Sequence, residues 1–125
     1  MKLKNVCLLT ENVRRLYLFY QEVTQVNTPL TNLDYVEFDL GGTNLAIYDV
    51  KAHNNLVDSM VDKVKNTSSM IEIEVEDVDK EYERLCKMNI KWAKHPTTQP
   101  WGTRSIYFYD PDGNLINFFC VPKDK

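Results

Sequence analysis

One segment of the chain is a loose copy of another, and this repeat constrains the fold more than any other feature. Val6 to Tyr20 reads VCLLTENVRRLYLFY, and Ile71 to Leu85 reads IEIEVEDVDKEYERL. At an offset of 65 residues, Glu11 aligns with Glu76, Asn12 with Asp77, Val13 with Val78 and Tyr17 with Tyr82. Identity is sparse, but the architecture agrees. Each copy reads as a strand, then an Asx residue suited to capping, then an amphipathic helix. Val13, Leu16, Tyr17 and Tyr20 share one helical face, as do Val78, Tyr82 and Leu85. The second halves also correspond. VEFDLGGTNLAIYDV from Val36 and IYFYDPDGNLINFFCV from Ile106 each read strand, glycine turn, strand. Gly41-Gly42 and Asp112-Gly113 occupy the turns, where positive φ is needed. A further extended stretch is expected between helix and hairpin, roughly Thr24 to Thr28 and Asn89 to Lys94. The chain thus predicts an α+β fold of tandem β-α-β-β-β modules, each too small to bury its sheet alone. The modules are read as residues 1–50 and 68–125, joined by a connector at 51–67. The connector carries Leu56, Val57, Met60, Val61 and Val64 at helix-compatible spacing.

Composition narrows the class without naming a function. The 125 residues are 43% hydrophobic and 26% charged, as in an ordinary globular domain. No apolar run approaches the roughly 20 residues that span a bilayer, so no membrane association is expected. Met1-Lys2-Leu3-Lys4 leads directly into a strand-like segment with no signal-peptide pattern, so a cytoplasmic location is expected. Net charge is −3, and no basic run marks a nucleic-acid surface. Cys7, Cys86 and Cys120 are odd in number and widely spaced, without a C-x-x-C pair. They read as reduced, buried thiols, not a disulfide framework or zinc site.

The stretch HPTTQPWGTRSIYFYDPDGNLINFF, His95 to Phe119, resembles the C-terminal signature of the vicinal oxygen chelate superfamily. That group includes glyoxalase I, bleomycin resistance proteins, fosfomycin resistance enzymes and extradiol dioxygenases. Trp101-Gly102-x-Arg104 and Asp110-Pro111-Asp112-Gly113-Asn114 carry the match, supported by the tandem modules. The resemblance implies sheets that curve into an open cup, with helices on the outer face, and a homodimer. It does not imply an activity, because the fold hosts catalysts and binders.

Metal-dependent members place a His on the first strand of a module and a Glu on the last. Carried over by position, the first-strand sites are Asn5 and Met70. The last-strand sites are Asn117 in the second module and Ala46 or Ile47 in the first. None is His, Glu or Asp, so no metal and no cofactor are expected. Of the two histidines, His53 reads as a solvated connector residue and His95 as structural or cavity-lining.

If Asn5 and Met70 face the cup, alternation places Cys7 and Leu9 beside the first, and Glu72, Glu74 and Glu76 beside the second. The same glutamates could simply form a solvated strand face. Trp92, Trp101, Tyr107, Tyr109, Tyr48 and Phe119 come from segments that form the cup in this fold. Arg104 reads as an ion-pair partner or a clamp for an acidic group. The expected ligand-binding set is Asn5, Cys7, Tyr48, Met70, Glu72, Glu74, Trp92, Trp101, Tyr107 and Asn117. The implied function is a non-enzymatic drug- or metabolite-binding protein resembling the bleomycin resistance proteins. Its cavity is acidic and aromatic, suiting a cationic or aromatic ligand. The alternative is a lyase or isomerase using a divalent metal, or Glu72 or Glu74 as base. No catalytic residue is assigned.

Overall fold

The computed structural model describes residues 1–57 and 68–122. The chain is α+β and divides into two compact units, Met1–Lys65 and Asn66–Lys125.

The first unit contains β1 (Asn5–Thr10), α1 (Val13–Thr24), β2 (Tyr35–Asp39), β3 (Asn44–Asp49) and α2 (Val50–Leu56). Its sheet runs β1-β3-β2, with β1 parallel and β2 antiparallel to β3. Asn12 caps α1 by accepting the Arg15 N–H at 3.0 Å. Val13, Leu16, Tyr20 and Val23 form a buried stripe at helical spacing. One face of the sheet supplies the other half of this core through Leu8, Val36, Phe38, Leu45 and Ile47.

The strand expected at Thr24 to Thr28 does not form. The buried stripe extends to Val23, so the helix runs through Thr24, whose hydroxyl donates to the Tyr20 carbonyl at 2.6 Å. Gln25 then stops the helix in the left-handed region at φ 60°. The Tyr17 hydroxyl donates to the Thr28 carbonyl at 2.6 Å and ties the following loop to the helix. The first unit is therefore β-α-β-β among the described residues. Of the expected connector helix, Val50–Leu56 forms, with Asp49 as its cap; Met60, Val61 and Val64 lie outside the described residues. His53 is not a solvated loop residue. It lies on α2, half-buried, with its ring edge-on to Tyr48 at 5.6 Å.

The second unit contains β4 (Met70–Glu74), α3 (Val78–Leu85), β5 (Lys91–Thr98), β6 (Arg104–Tyr109) and β7 (Leu115–Cys120). Strand order is β4-β7-β6-β5, with β4 parallel to β7 and the other pairs antiparallel. Its core holds Val78, Leu85, Ile106, Phe108, Ile116 and Phe118. The β6–β7 turn is organised by the buried Asp110 carboxylate. It accepts the backbone N–H groups of Asp112 and Asn114 and the Asn114 side-chain amide. Gly113 supplies the required φ of 91°.

Candidate functional site

Cross-strand partners share a sheet face, so the register identifies what lies opposite each helix. In the first unit that open face carries three rows: Asn5–Asn44–Asp39, Cys7–Ala46–Glu37 and Leu9–Tyr48–Tyr35. The register separates the two last-strand alternatives. Ala46 lies on the open face, and Ile47 is in the core beneath α1.

This face is occupied by its own side chains. Tyr35 starts in the third row, yet its hydroxyl accepts from Asn5 Nδ2 in the first row at 3.4 Å. Its ring therefore crosses the middle row, where Ala46 contributes only a methyl group. Burial pushes the Tyr35 phenol up to about 12, helped by the charge and hydrogen bond of Glu37. Partial desolvation, then Glu37, also raises the Cys7 thiol, although Cys7 keeps exposed surface. A thiol held protonated is a poor nucleophile. Glu37 itself accepts from Asn44 Nδ2 at 2.8 Å. Tyr48 packs edge-on against Tyr35 at 5.3 Å.

In the second unit the open face carries Met70–Leu115–Tyr109–Lys91, Glu72–Asn117–Tyr107–Lys94 and Glu74–Phe119–Ser105–Thr97. Glutamates line the β4 edge and lysines the β5 edge, so the face is polarised, not uniformly acidic. Lys91 Nζ lies 5.4 Å from the centroid of the Tyr109 ring. At the centre, Asn117 donates from Nδ2 to Glu72 Oε2 at 3.0 Å. Asn117 is only 4% exposed, and its Oδ1 has no hydrogen-bonding partner among the described residues.

Trp92 stands apart from the expected set. It pairs with Phe108 and contacts Tyr82 of α3 at 5.0 Å, on the helix-covered face. Its in-register pairing with the buried Phe108 sets this face, and the register shifts follow it, between Trp92 and Thr97. His95 accompanies it, with Nδ1 3.0 Å from the Tyr82 hydroxyl. Trp101 lies on the β5–β6 loop and is 71% exposed. Arg104 forms a two-point contact with Asp79 at 2.8 and 2.9 Å, joining β6 to the start of α3. These hydrogen bonds hold the Asp79 carboxyl below its ordinary range.

The residues at the positions carried over from metal-dependent members are a poor donor set for a divalent cation. Asn5 and Asn117 offer neutral amides, Met70 a thioether and Ala46 nothing. Among the described residues, no group of three His, Cys, Asp or Glu side chains could hold a metal ion. Tyr35 and Glu37 were missed in the sequence reading. The Gly41-Gly42 hairpin was their signal, since a register through it sets Glu37 opposite Ala46.

A family model for the glyoxalase-like domain matches residues 3–120. The chain belongs to this family, and with it to the vicinal oxygen chelate superfamily. It is 26% identical over 127 residues to the uncharacterized protein YraH of Bacillus subtilis (strain 168), covering 95% of this chain and 98% of that protein. A solved glyoxalase/bleomycin resistance protein/dioxygenase from Nocardioides is 22% identical with a TM-score of 0.81, covering 100% of this chain and 86% of that one. A family enzyme of the same description from Burkholderia phytofirmans PsJN reaches 0.85 at 16% identity, covering 98% and 100%. Among the described residues, no helix is long and apolar enough to cross a membrane.

Proposed function

We propose that this protein is a metal-independent, non-enzymatic binder of a small drug or metabolite, working as a cytoplasmic homodimer. The observation that carries the reading is the donor set at the family's ligand positions: Asn5, Ala46, Met70 and Asn117. Without a Lewis acid at those positions, reactions that depend on polarising a substrate oxygen lose their driving group. The names of the Nocardioides and Burkholderia proteins join glyoxalases, bleomycin resistance proteins and dioxygenases. The missing ionisable donors favour the resistance-protein branch of that grouping.

Binding residues on this reading are Met70, Glu72, Glu74, Tyr107 and Asn117 on the second sheet. Asn5, Cys7 and Tyr48 would serve on the first, with Trp101 on its exposed loop. Trp92, engaged with α3, has a packing role instead. Calorimetric titration against a panel of cationic, aromatic-rich glycopeptides tests the reading. Saturable binding is expected; absence of heat across the panel counts against it. Elemental analysis of the purified protein is the second arm, and stoichiometric zinc, nickel or iron would overturn the metal-independent assignment.

A further inference from the structure

We propose that the open face of the second sheet recognises a nitrogen cation bearing N–H groups, an ammonium or an amidinium, through Asn117 Oδ1 and Glu72. This rests on the binding function proposed above and names the chemistry of its ligand.

The orientation of the Asn117 amide is fixed by its neighbour. An ionised carboxylate only accepts hydrogen bonds. Glu72 Oε2 therefore requires the Asn117 NH2 group at its 3.0 Å contact. The amide oxygen is left on the other side, buried and without a donor among the described residues. A buried acceptor in this state favours any group that brings it an N–H. The adjacent carboxylate adds a preference for positive charge, since Glu72 is exposed and, among the described residues, receives a single amide hydrogen. Tyr107, next to Asn117 in the same row, adds a half-buried aromatic ring of the kind that cations approach face-on. A divalent metal is a poor match, because the site offers one carboxylate and one amide oxygen. An anion would meet two acceptors.

The test uses the full chain and four probes that vary charge and N–H content separately. Benzylamine and benzamidine carry both, benzyltrimethylammonium carries charge alone, and benzyl alcohol is neutral. Binding is followed by calorimetry and by the side-chain amide signals of Asn117 in 1H–15N spectra. Benzylamine and benzamidine are expected to bind and shift those signals. The quaternary ion and the alcohol are expected to bind about tenfold more weakly or worse, the usual scale for losing a charge-assisted hydrogen bond. Asn117→Leu should cost the amines a similar factor. Glu72→Gln, at an exposed position and so compatible with folding, should do likewise.

Equal affinity for benzylamine and the quaternary ion would overturn the proposal. So would an Asn117→Leu protein that binds amines unchanged, which would assign the orphan oxygen to water. If the glycopeptide panel binds and the amines do not, this inference fails while the binding function stands. If stoichiometric metal is found and neither panel binds, both fail.

Discussion

The two sheets share a strand plan at their centres but treat their open faces differently. In the first unit, Tyr35 reaches across Ala46 to Asn5 and Glu37, yet Asn5 Oδ1 stays buried without a partner among the described residues. In the second, Asn117 donates to Glu72 and its own Oδ1 is likewise left over among the described residues. Each face thus keeps one buried acceptor, but the first sets it beside the Tyr35 phenol and the second beside the exposed Glu72 carboxylate. A repeat therefore need not mean two equivalent sites. One copy can offer a neutral neighbour and the other a charged one.

The comparison can be broken most forcefully at the helix-covered faces, where the units should behave alike. Leu16 and Leu85 are both fully buried. Leu16→Ala and Leu85→Ala should each cost about 2–5 kcal/mol by urea denaturation. A loss well below that range at one site would show that the two cores are not counterparts.

Next comes the tyrosine that crosses the first face. Tyr35→Phe removes the hydroxyl shared by Asn5 and Glu37 and should cost about 1 kcal/mol. The Tyr35 phenol is raised above its ordinary value, so the folded state holds its proton more tightly. Its stabilising contribution is full below pH ~10 and is lost as pH rises towards 12. An absorbance titration should lose its component near 12 in the variant.

Asn117→Leu probes the second face without ligand. Replacing a partly unsatisfied amide by an apolar group of similar size should be neutral or stabilising by up to ~1 kcal/mol. A clear loss of thermal stability would mean that Asn117 holds the sheet together, not that it waits for a partner.

The smallest effect belongs to Asp79→Asn, which breaks the surface pair with Arg104. A few tenths of a kcal/mol is the usual scale for such a pair. The Asp79 carboxyl is lowered mainly by the Arg104 hydrogen bonds, so its contribution is present above the ordinary carboxylate range. It is lost as pH falls through the lowered value. The variant's stability should therefore change less with acidification than the parent's.

Much of the fold was readable because burial writes periodic patterns. The stripe Val13, Leu16, Tyr20 and the alternation from Ile71 to Glu74 each report which side is covered. The glycine turns marked both hairpins, and the signature around Asp110 to Asn114 pointed to the family. Three things were hidden for physical reasons. The stretch from Thr24 looked extended because β-branched Thr24, Val26 and Thr28 alternate with polar Gln25 and Asn27. Trp92 was grouped with the cup by its segment alone, and only its pairing with the core residue Phe108 shows which face it takes. The roles of Tyr35 and Glu37 depend on a diagonal reach across three strands, which no local pattern encodes. Asn117 was placed by family position, but its orphan oxygen could only emerge from the geometry of its contact with Glu72.

The parallel pairings carry a consequence for how the chain acquires its structure. β3 lies between β1 and β2, and β7 lies between β4 and β6. In each unit the last strand in chain order is thus an interior strand of the sheet. During synthesis, β1 and β4 must wait with an unpaired edge until β3 or β7 emerges, and each closure spans the intervening helix. Folding of the second unit should therefore depend on β7 more than on any earlier strand. Slow ribosomal passage through Leu115–Cys120 would prolong the interval in which β4 exposes its Ile71 and Ile73 side chains to aggregation.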